Sequence, residues 1–278
     1  MTSLFSYETL VHALAGATGS IVGMAVFYPL DTLRSRLQVE DSTKLKGSVW
    51  ELLMKLADEE GFDSLYRGLA PVLQSLSVSN FVYFYTFHAL RRTASKATAL
   101  QDLMFGIAAG SINVILTSPL WVVNTRMKLD KNSYRSLFGG LMELARKEGA
   151  KGLWSGTIPS LLLVSNPAIQ FMVYELLKRN LIAKGAFDTY TAFLVGALAK
   201  TVATSLTYPL QLVQSRLRAG TSMKPLLKEF KSNPLIMFRG LEAKLLQTVL
   251  TTALMFFIYE KLVRLVLTIM RVRMARRH

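Results

Sequence analysis

The chain has 278 residues, 51% of them hydrophobic and 18% charged; that length would ordinarily suggest one or two soluble domains, but the mean hydropathy of +0.32 points to the membrane class. The formal charge is +15 and there is no cysteine, so disulfides are excluded. Basic residues in connecting segments of a membrane chain read as charge flanking the bilayer, and no nucleic-acid partner is expected.

In chain order, MTSLFSYETL lacks the basic start and small-residue cleavage site of a signal peptide and the Arg-rich character of a transit peptide, so the first helix is expected to stay in the mature protein. Thr9 to Leu30 is apolar with only His12 as a possible charge, and Leu69 to Leu90 contains only His88. Leu103 to Thr125 and Thr157 to Tyr174 carry no charge, Thr189 to Ser215 carries Lys200, and Leu241 to Met270 is interrupted by Lys244, Glu260, Lys261 and Arg264. Each approaches the roughly 20 residues that a spanning helix needs. Six transmembrane helices are predicted.

The chain also repeats itself. Pro29 opens PLDTLRSR, Pro119 opens PLWVVNTR ninety residues on, and Pro209 opens PLQLVQSR ninety beyond that. Gly16, Gly106 and Gly196 stand 13 residues before these prolines, and Arg36, Arg126 and Arg216 seven after. The connections share EGFDSLYRG at Glu60 to Gly68, EGAKGLWSG at Glu148 to Gly156 and a degraded SNPLIMFRG at Ser232 to Gly240. Ahead of the first, Val49, Leu53 and Leu56 sit at helical spacing, as in an interfacial helix. FHALR from Phe87, YELLK from Tyr174 and YEKLV from Tyr259 close the even helices. A unit of helix, connection and helix returns to its starting side, so the repeats are parallel; they are assigned to residues 1–95, 96–183 and 184–278. Odd and even helices run oppositely, so the proline motifs and the FHALR-type motifs form polar rings at opposite ends of whatever the helices enclose. Proline bends the odd helices and draws their ends together.

These motifs resemble the mitochondrial carrier family over essentially the whole chain. SNFVYFYTF, TSPLWVVNTRMKL, PSLLLVSNPAIQFMVYE and GLEAKLLQTVLTTALMFFIYEKL are similar to its peroxisomal membrane branch. The resemblance implies an all-α membrane protein of six transmembrane helices, in three parallel two-helix repeats with pseudo-threefold symmetry around a central cavity. It further implies an alternating-access exchanger of CoA, FAD, FMN and AMP-type nucleotides, with NAD carried less well, in the peroxisomal membrane, with the bilayer and the peroxisomal membrane import machinery as partners. Alternative readings are a carrier of the mitochondrial inner membrane or of plastids for folate, FAD, NAD or pyrimidine nucleotides, and a non-transporting scaffold that holds a partner with its basic loops.

The family pattern puts an acid and a base in each proline motif, and this chain departs from it. Only the first repeat keeps both, Asp31 and Arg34; the second has Trp121 and Asn124, the third Gln211 and Gln214. Pairing around the ring would set Asp31 against Asn124, Trp121 against Gln214 and Gln211 against Arg34, with no complete ion pair. Neutral hydrogen bonds contribute roughly 0.5–1.5 kcal/mol net against roughly 1.5–3 for charged ones, so this gate is expected to hold loosely. In the opposite ring His88, Glu175 and Glu260 take acid positions, and Arg91, Lys178 and Val263 base positions. Glu260 with Arg91 is its expected salt bridge.

For substrate, a charge at mid-membrane costs roughly 2.5–3.5 kcal/mol and faces a cavity or a partner, which singles out Lys200 and Lys244. Lys244, Gln247 and Thr251 share one helix face. Lys200 aligns with Gly110, leaving open that it snorkels between helices. The family's central position, seven residues after the connecting glycine, falls on Ser75, Leu163 and Gln247; the same stripe runs through Ser79 and Tyr83 and through Asn166 and Gln170. With Trp121 these offer ammonium groups, amides and aromatic faces, which suit phosphates and an adenine ring. Gly16, Gly19 and Gly23 read as close-approach positions between helices. His12 and His88 have no metal-ligand company, and no P-loop, nucleophile elbow or paired-carboxylate centre occurs. No metal, prosthetic group or catalysis is expected.

Overall fold

The computed structural model describes residues 18–39, 47–94, 98–129, 134, 136–183 and 188–275. His12, Gly16, the start of the first span and the side chains of Tyr259, Glu260 and Val263 lie outside the described residues. All described regular structure is helical. The first transmembrane unit is α1, described over residues 18–26, joined through Phe27 to α2, Tyr28–Val39. The break falls ahead of Pro29, which cannot donate the fourth-residue hydrogen bond. After it come α3, Val49–Glu60, and α4, Leu69–Arg91. The second repeat runs α5, Ala99–Leu129; α6, Leu137–Leu153; α7, Thr157–Leu163; and α8, Asn166–Ala183. The third has α9, Thr189–Arg218; α10, Met223–Ser232; and α11, Leu241–Ala275.

Leu100–Leu129, Thr157–Ala183 and Thr191–Arg218 are each long and apolar enough to cross a membrane; α1 with α2, α4 and α11 complete six transmembrane units. The fourth unit is two helices where one was predicted. Pro167 leaves the Leu163 carbonyl without its helical donor and disfavours helical geometry in the residue before it, and the chain turns at Val164 and Ser165. α5 and α9 carry Pro119 and Pro209 without interruption. In α5 the loss is made good from outside, because the Trp154 indole donates at 2.8 Å to the Ile115 carbonyl that Pro119 leaves free. The even helices also outrun the motifs expected to close them: α8 continues to Ala183, beyond Lys178, and α11 to Ala275, beyond Val263.

Each connecting helix docks on the end of its odd helix. Leu30, Leu33 and Leu37 of α2 bury Val49, Leu52, Leu53 and Leu56 of α3, so the stripe expected to lie at the interface packs against protein, while Trp50 and Met54 on its other side stay exposed. Val122 and Val123 receive Leu144 in the second repeat, and Leu212 receives Leu226 and Phe230 in the third. Apolar side chains such as Phe81, Ile158 and Leu206 point outward, as a lipid-facing surface requires. A Cβ on Gly19 would lie 2.8 Å from the Met255 carbonyl oxygen, so α1 meets α11 at a distance only glycine allows.

Candidate functional site

The ends of the odd helices converge: α2 touches both α5 and α9, and these touch each other. Among the described residues α4, α8 and α11 make no comparable contact with one another. The bundle is therefore shut at the proline end and open at the other.

What shuts it differs from the ring expected from sequence. Asp31, buried on α2, forms an ion pair with Lys128 on α5, accepts from Arg34 at 3.0 Å, and accepts from Gln247 of α11 at 3.3 Å. A complete inter-repeat ion pair is thus present, with a residue outside the expected set. Asn124 turns from Asp31 to donate to Ser75 at 2.6 Å, and Trp121 donates to Ser79 at 3.1 Å. Gln214 donates to Ser160 at 2.7 Å, and Gln211 bonds Thr207 of its own helix at 3.1 Å rather than Arg34. Trp121, Asn124 and Gln214 are drawn to serine hydroxyls of the neighbouring even units, which present acceptors at this level.

A second set of bonds lies beyond the ring. Arg126 holds Glu148 in a bidentate pair and donates through Nε at 3.2 Å to the Arg218 carbonyl at the end of α9. Arg216 pairs with Glu229 and donates through Nε at 2.6 Å to the Gln38 carbonyl at the end of α2. Each guanidinium ties its own connecting helix to the unsatisfied carbonyl end of the next repeat's odd helix, where a positive charge is favoured. In the third repeat the expected glutamate is missing from SNPLIMFRG, and Glu229, one helical turn earlier, takes its place. Arg36 pairs with Glu60. Partial burial pushes the Glu60 carboxyl up, but hydrogen bonds from Arg36 and Arg67 outweigh it and hold the group below the ordinary glutamate range. The bond from Arg126 does the same for Glu148.

At and above the ring the bundle holds three adjoining hollows. One of about 580 Å³ is lined by Lys200 and Lys244 with Asn166, Gln247 and Thr251. A second, of about 560 Å³, has Tyr83, Phe87 and Trp121 on its wall. A third, of about 260 Å³, lies at the ring itself. Gln214 lines all of them, so they adjoin, basic and amide-rich on the side of α9 and α11, aromatic on the side of α4 and α5.

Lys200, Lys244, Gln247 and Asn166 thus meet on one wall, Lys200 facing the cavity rather than lodging between helices. Asn166 also donates to Thr207 at 2.6 Å. Tyr83 and Trp121 stand on the aromatic wall. Ser75 and Ser79 are buried as acceptors for Asn124 and Trp121, and Gln170, further along α8, is not among the residues lining the three hollows. At the open end His88 is exposed beside Phe84 and Tyr85 on the outward face of α4, Arg91 meets Asp102 at 3.0 Å, and Lys178 meets Glu175 of its own helix at 3.5 Å. The expected Arg91 partner, Glu260, has its side chain outside the described residues.

Lys128 and Arg218 escaped the sequence reading. Both stand nine residues after the proline, in register with Gln38, and that spacing was available to find them.

The family model described as mitochondrial carrier protein matches residues 5–98, 95–185 and 186–269. The chain is 45% identical over 308 aligned positions to the peroxisomal membrane protein PMP34 of Mus musculus, covering 100% of both chains. It is 32% identical to the peroxisomal nicotinamide adenine dinucleotide carrier of Arabidopsis thaliana, covering 92% of this chain and 96% of that one. It is 30% identical to the peroxisomal adenine nucleotide carrier 1 of Glycine max, covering 92% and 91%.

Proposed function

The chain belongs to the mitochondrial carrier family, and we propose that it is a peroxisomal membrane carrier that exchanges phosphorylated nucleotide cofactors, CoA, FAD, FMN and AMP, with NAD carried less well. The observation that carries this reading is the two-sided cavity. Lys200 and Lys244 line it with no carboxylate at ion-pair distance among the described residues, beside the amides of Asn166 and Gln247 and opposite Tyr83, Phe87 and Trp121. Phosphates match the ammonium groups through charge-assisted bonds, and a purine or flavin ring matches the aromatic wall. Relatives named as peroxisomal carriers of adenine nucleotides and of nicotinamide adenine dinucleotide support the compartment and the nucleotide class.

Exchange then works by alternating access. Substrate enters from the open end, and its contacts with α4, α8, α9 and α11 draw the even helices inward. The proline end releases as the FHALR-type ring closes.

The test is uptake of labelled AMP, FMN and CoA into liposomes loaded with each compound, with Lys244→Ala and riboflavin as controls. Wild-type exchange of the three phosphorylated compounds is expected. The variant should lose about tenfold or more, the equivalent of one charge-assisted hydrogen bond, and riboflavin should not exchange. Riboflavin moving as fast as FMN, or undiminished exchange by the variant, would remove the lysine wall from the site.

A further inference from the structure

The second hollow, of about 560 Å³, contains a polar group with no part in phosphate binding or in closing either ring. Asn113 lines it from the middle of α5, within the stretch Leu103 to Thr125 that carries no charge. Its Oδ1 is buried with no donor, and its carboxamide makes no side-chain hydrogen bond among the described residues. Asn124 and Asn166, by contrast, donate to Ser75 and Thr207. Thr117, one turn on, donates at 2.8 Å to the main-chain carbonyl of Asn113 and leaves its amide alone. A buried amide without a partner is costly, and polar residues within a membrane helix face a cavity or a partner.

Packing does not call for an asparagine at this position. Gly23, Asn113 and Ala203 each stand six residues before the proline of their repeat. A Cβ on Gly23 would lie 3.0 Å from the Thr251 carbonyl oxygen, and Ala203 is fully buried, so two repeats hold a small residue here. In the second repeat the longer side chain enters the hollow, and what surrounds it there is aromatic. Tyr83 reaches α5 two turns before Asn113, its hydroxyl 3.5 Å from where a Cβ on Gly106 would be, and its ring stacks on Phe87. Trp121 follows two turns after Asn113, its indole fixed by Ser79. The amide therefore lies between two aromatic groups on one face of α5.

We infer that Asn113 is a specificity-determining residue that reads the edge of the ring lodged against this aromatic wall, and that the ring it fits is a 6-aminopurine. Oδ1 accepts from the exocyclic amine and Nδ2 donates to the adjoining ring nitrogen, the bidentate pairing by which asparagine recognises adenine in nucleic acids. Both ends of the amide are satisfied at once, so a group that is costly in the empty carrier is relieved by the ligand. The inference rests on the carrier reading for the ligand class. Stacking and phosphate contacts do not sense a substituent on the ring edge; Asn113 does.

The experiment compares AMP with purine riboside 5′-monophosphate, which has the same ring system and phosphate but lacks the 6-amino group. The full chain in phosphatidylcholine nanodiscs is titrated with each, and the rise in thermal midpoint reports the affinity. Wild type should bind AMP about tenfold more tightly, since loss of the amine leaves the buried Oδ1 unpaired. In Asn113→Leu, similar in shape but without the amide, and in Asn113→Ala, which cannot obstruct the ring, that ratio should fall to about one. The empty Asn113→Leu protein should unfold at or above the wild-type midpoint, because an unpaired buried amide has given way to an apolar group. No response of wild type to either nucleotide, equal binding of the two, or a preference for AMP that survives in both variants overturns the inference. Exchange of AMP by wild type, assayed in liposomes in parallel, separates the two claims: exchange without a preference for the amine sinks the role of Asn113 alone, and a preference that depends on Asn113 without exchange sinks the carrier reading alone.

Discussion

Asp31→Asn tests how the proline end is held shut. Among the described residues Asp31 is the one carboxylate lining the hollow with Arg34, Lys128, Arg218 and Lys244, and its side chain is 9% exposed against 8% for that of Lys128. Removing one partner of a buried pair costs roughly 3–5 kcal/mol because the other charge is left uncompensated. Arg34 and Gln247 also lose their charged acceptor, but an asparagine oxygen remains for one of them, so the lower end, about 3 kcal/mol, is the better figure. At 1.4 kcal/mol per decade this moves the balance between closed and open forms by about two decades. Efflux of labelled AMP from preloaded liposomes into substrate-free buffer should rise steeply, and the thermal midpoint should fall. Asp31→Asn with Gln211→Glu returns one acid to the same hollow and should recover part of both, which distinguishes a weakened gate from a misfolded chain. Efflux and midpoint equal to wild type in the single variant would refute the assignment of closure to this ion pair.

Glu229→Gln should lower the midpoint by a few degrees, about 1–2 kcal/mol, since the pair with buried Arg216 ties α10 to the ends of α9 and α2; Ser232→Ala, at the register position of the missing glutamate, should change little. The Glu148 carboxyl is held below the ordinary glutamate range by its bond from Arg126, so its contribution is complete above that range and is lost as pH falls through the lowered value. Glu148→Gln should therefore flatten the decline of the thermal midpoint below roughly pH 4.5. Gly156 has φ of 77° and room for a Cβ only 3.0 Å from the Gln214 carbonyl oxygen, so Gly156→Ala should cost about 1–3 kcal/mol and loosen the seat of α7 on α9, read as a lower midpoint with insertion retained.

The fold was legible because its repeat is written in covalent order. Three prolines ninety residues apart, three connecting glycines and apolar runs of spanning length fix six helices in parallel pairs before any contact is known. The lysine wall was legible for a related reason: Lys200 and Lys244 stand out against the apolar helices that carry them, and a charge in such a place faces a cavity. The break at Val164 and Ser165 was also within reach, since Pro167 stands in plain view, but hydropathy registers composition and not backbone donors.

Partner choice was not legible. Applying the repeat rule to the ring gives Asp31 with Asn124 and no ion pair, whereas the fold joins Asp31 to Lys128, one turn further along α5, and sends Asn124 to Ser75. The same rule looks for a glutamate at Ser232 and misses Glu229. Periodicity states which residues are equivalent, but not the rotation and tilt at which proline-bent helices meet, and one turn of offset exchanges one partner for another. The bonds of Arg216 to Gln38, 178 positions apart, and of Arg126 to Arg218, 92 apart, depend on that geometry alone. Sequence by itself therefore determined the family, the repeats and the polar cavity; tertiary structure decided which end is shut and which charges remain unpaired, because both follow from distances between helices that no spacing along the chain encodes.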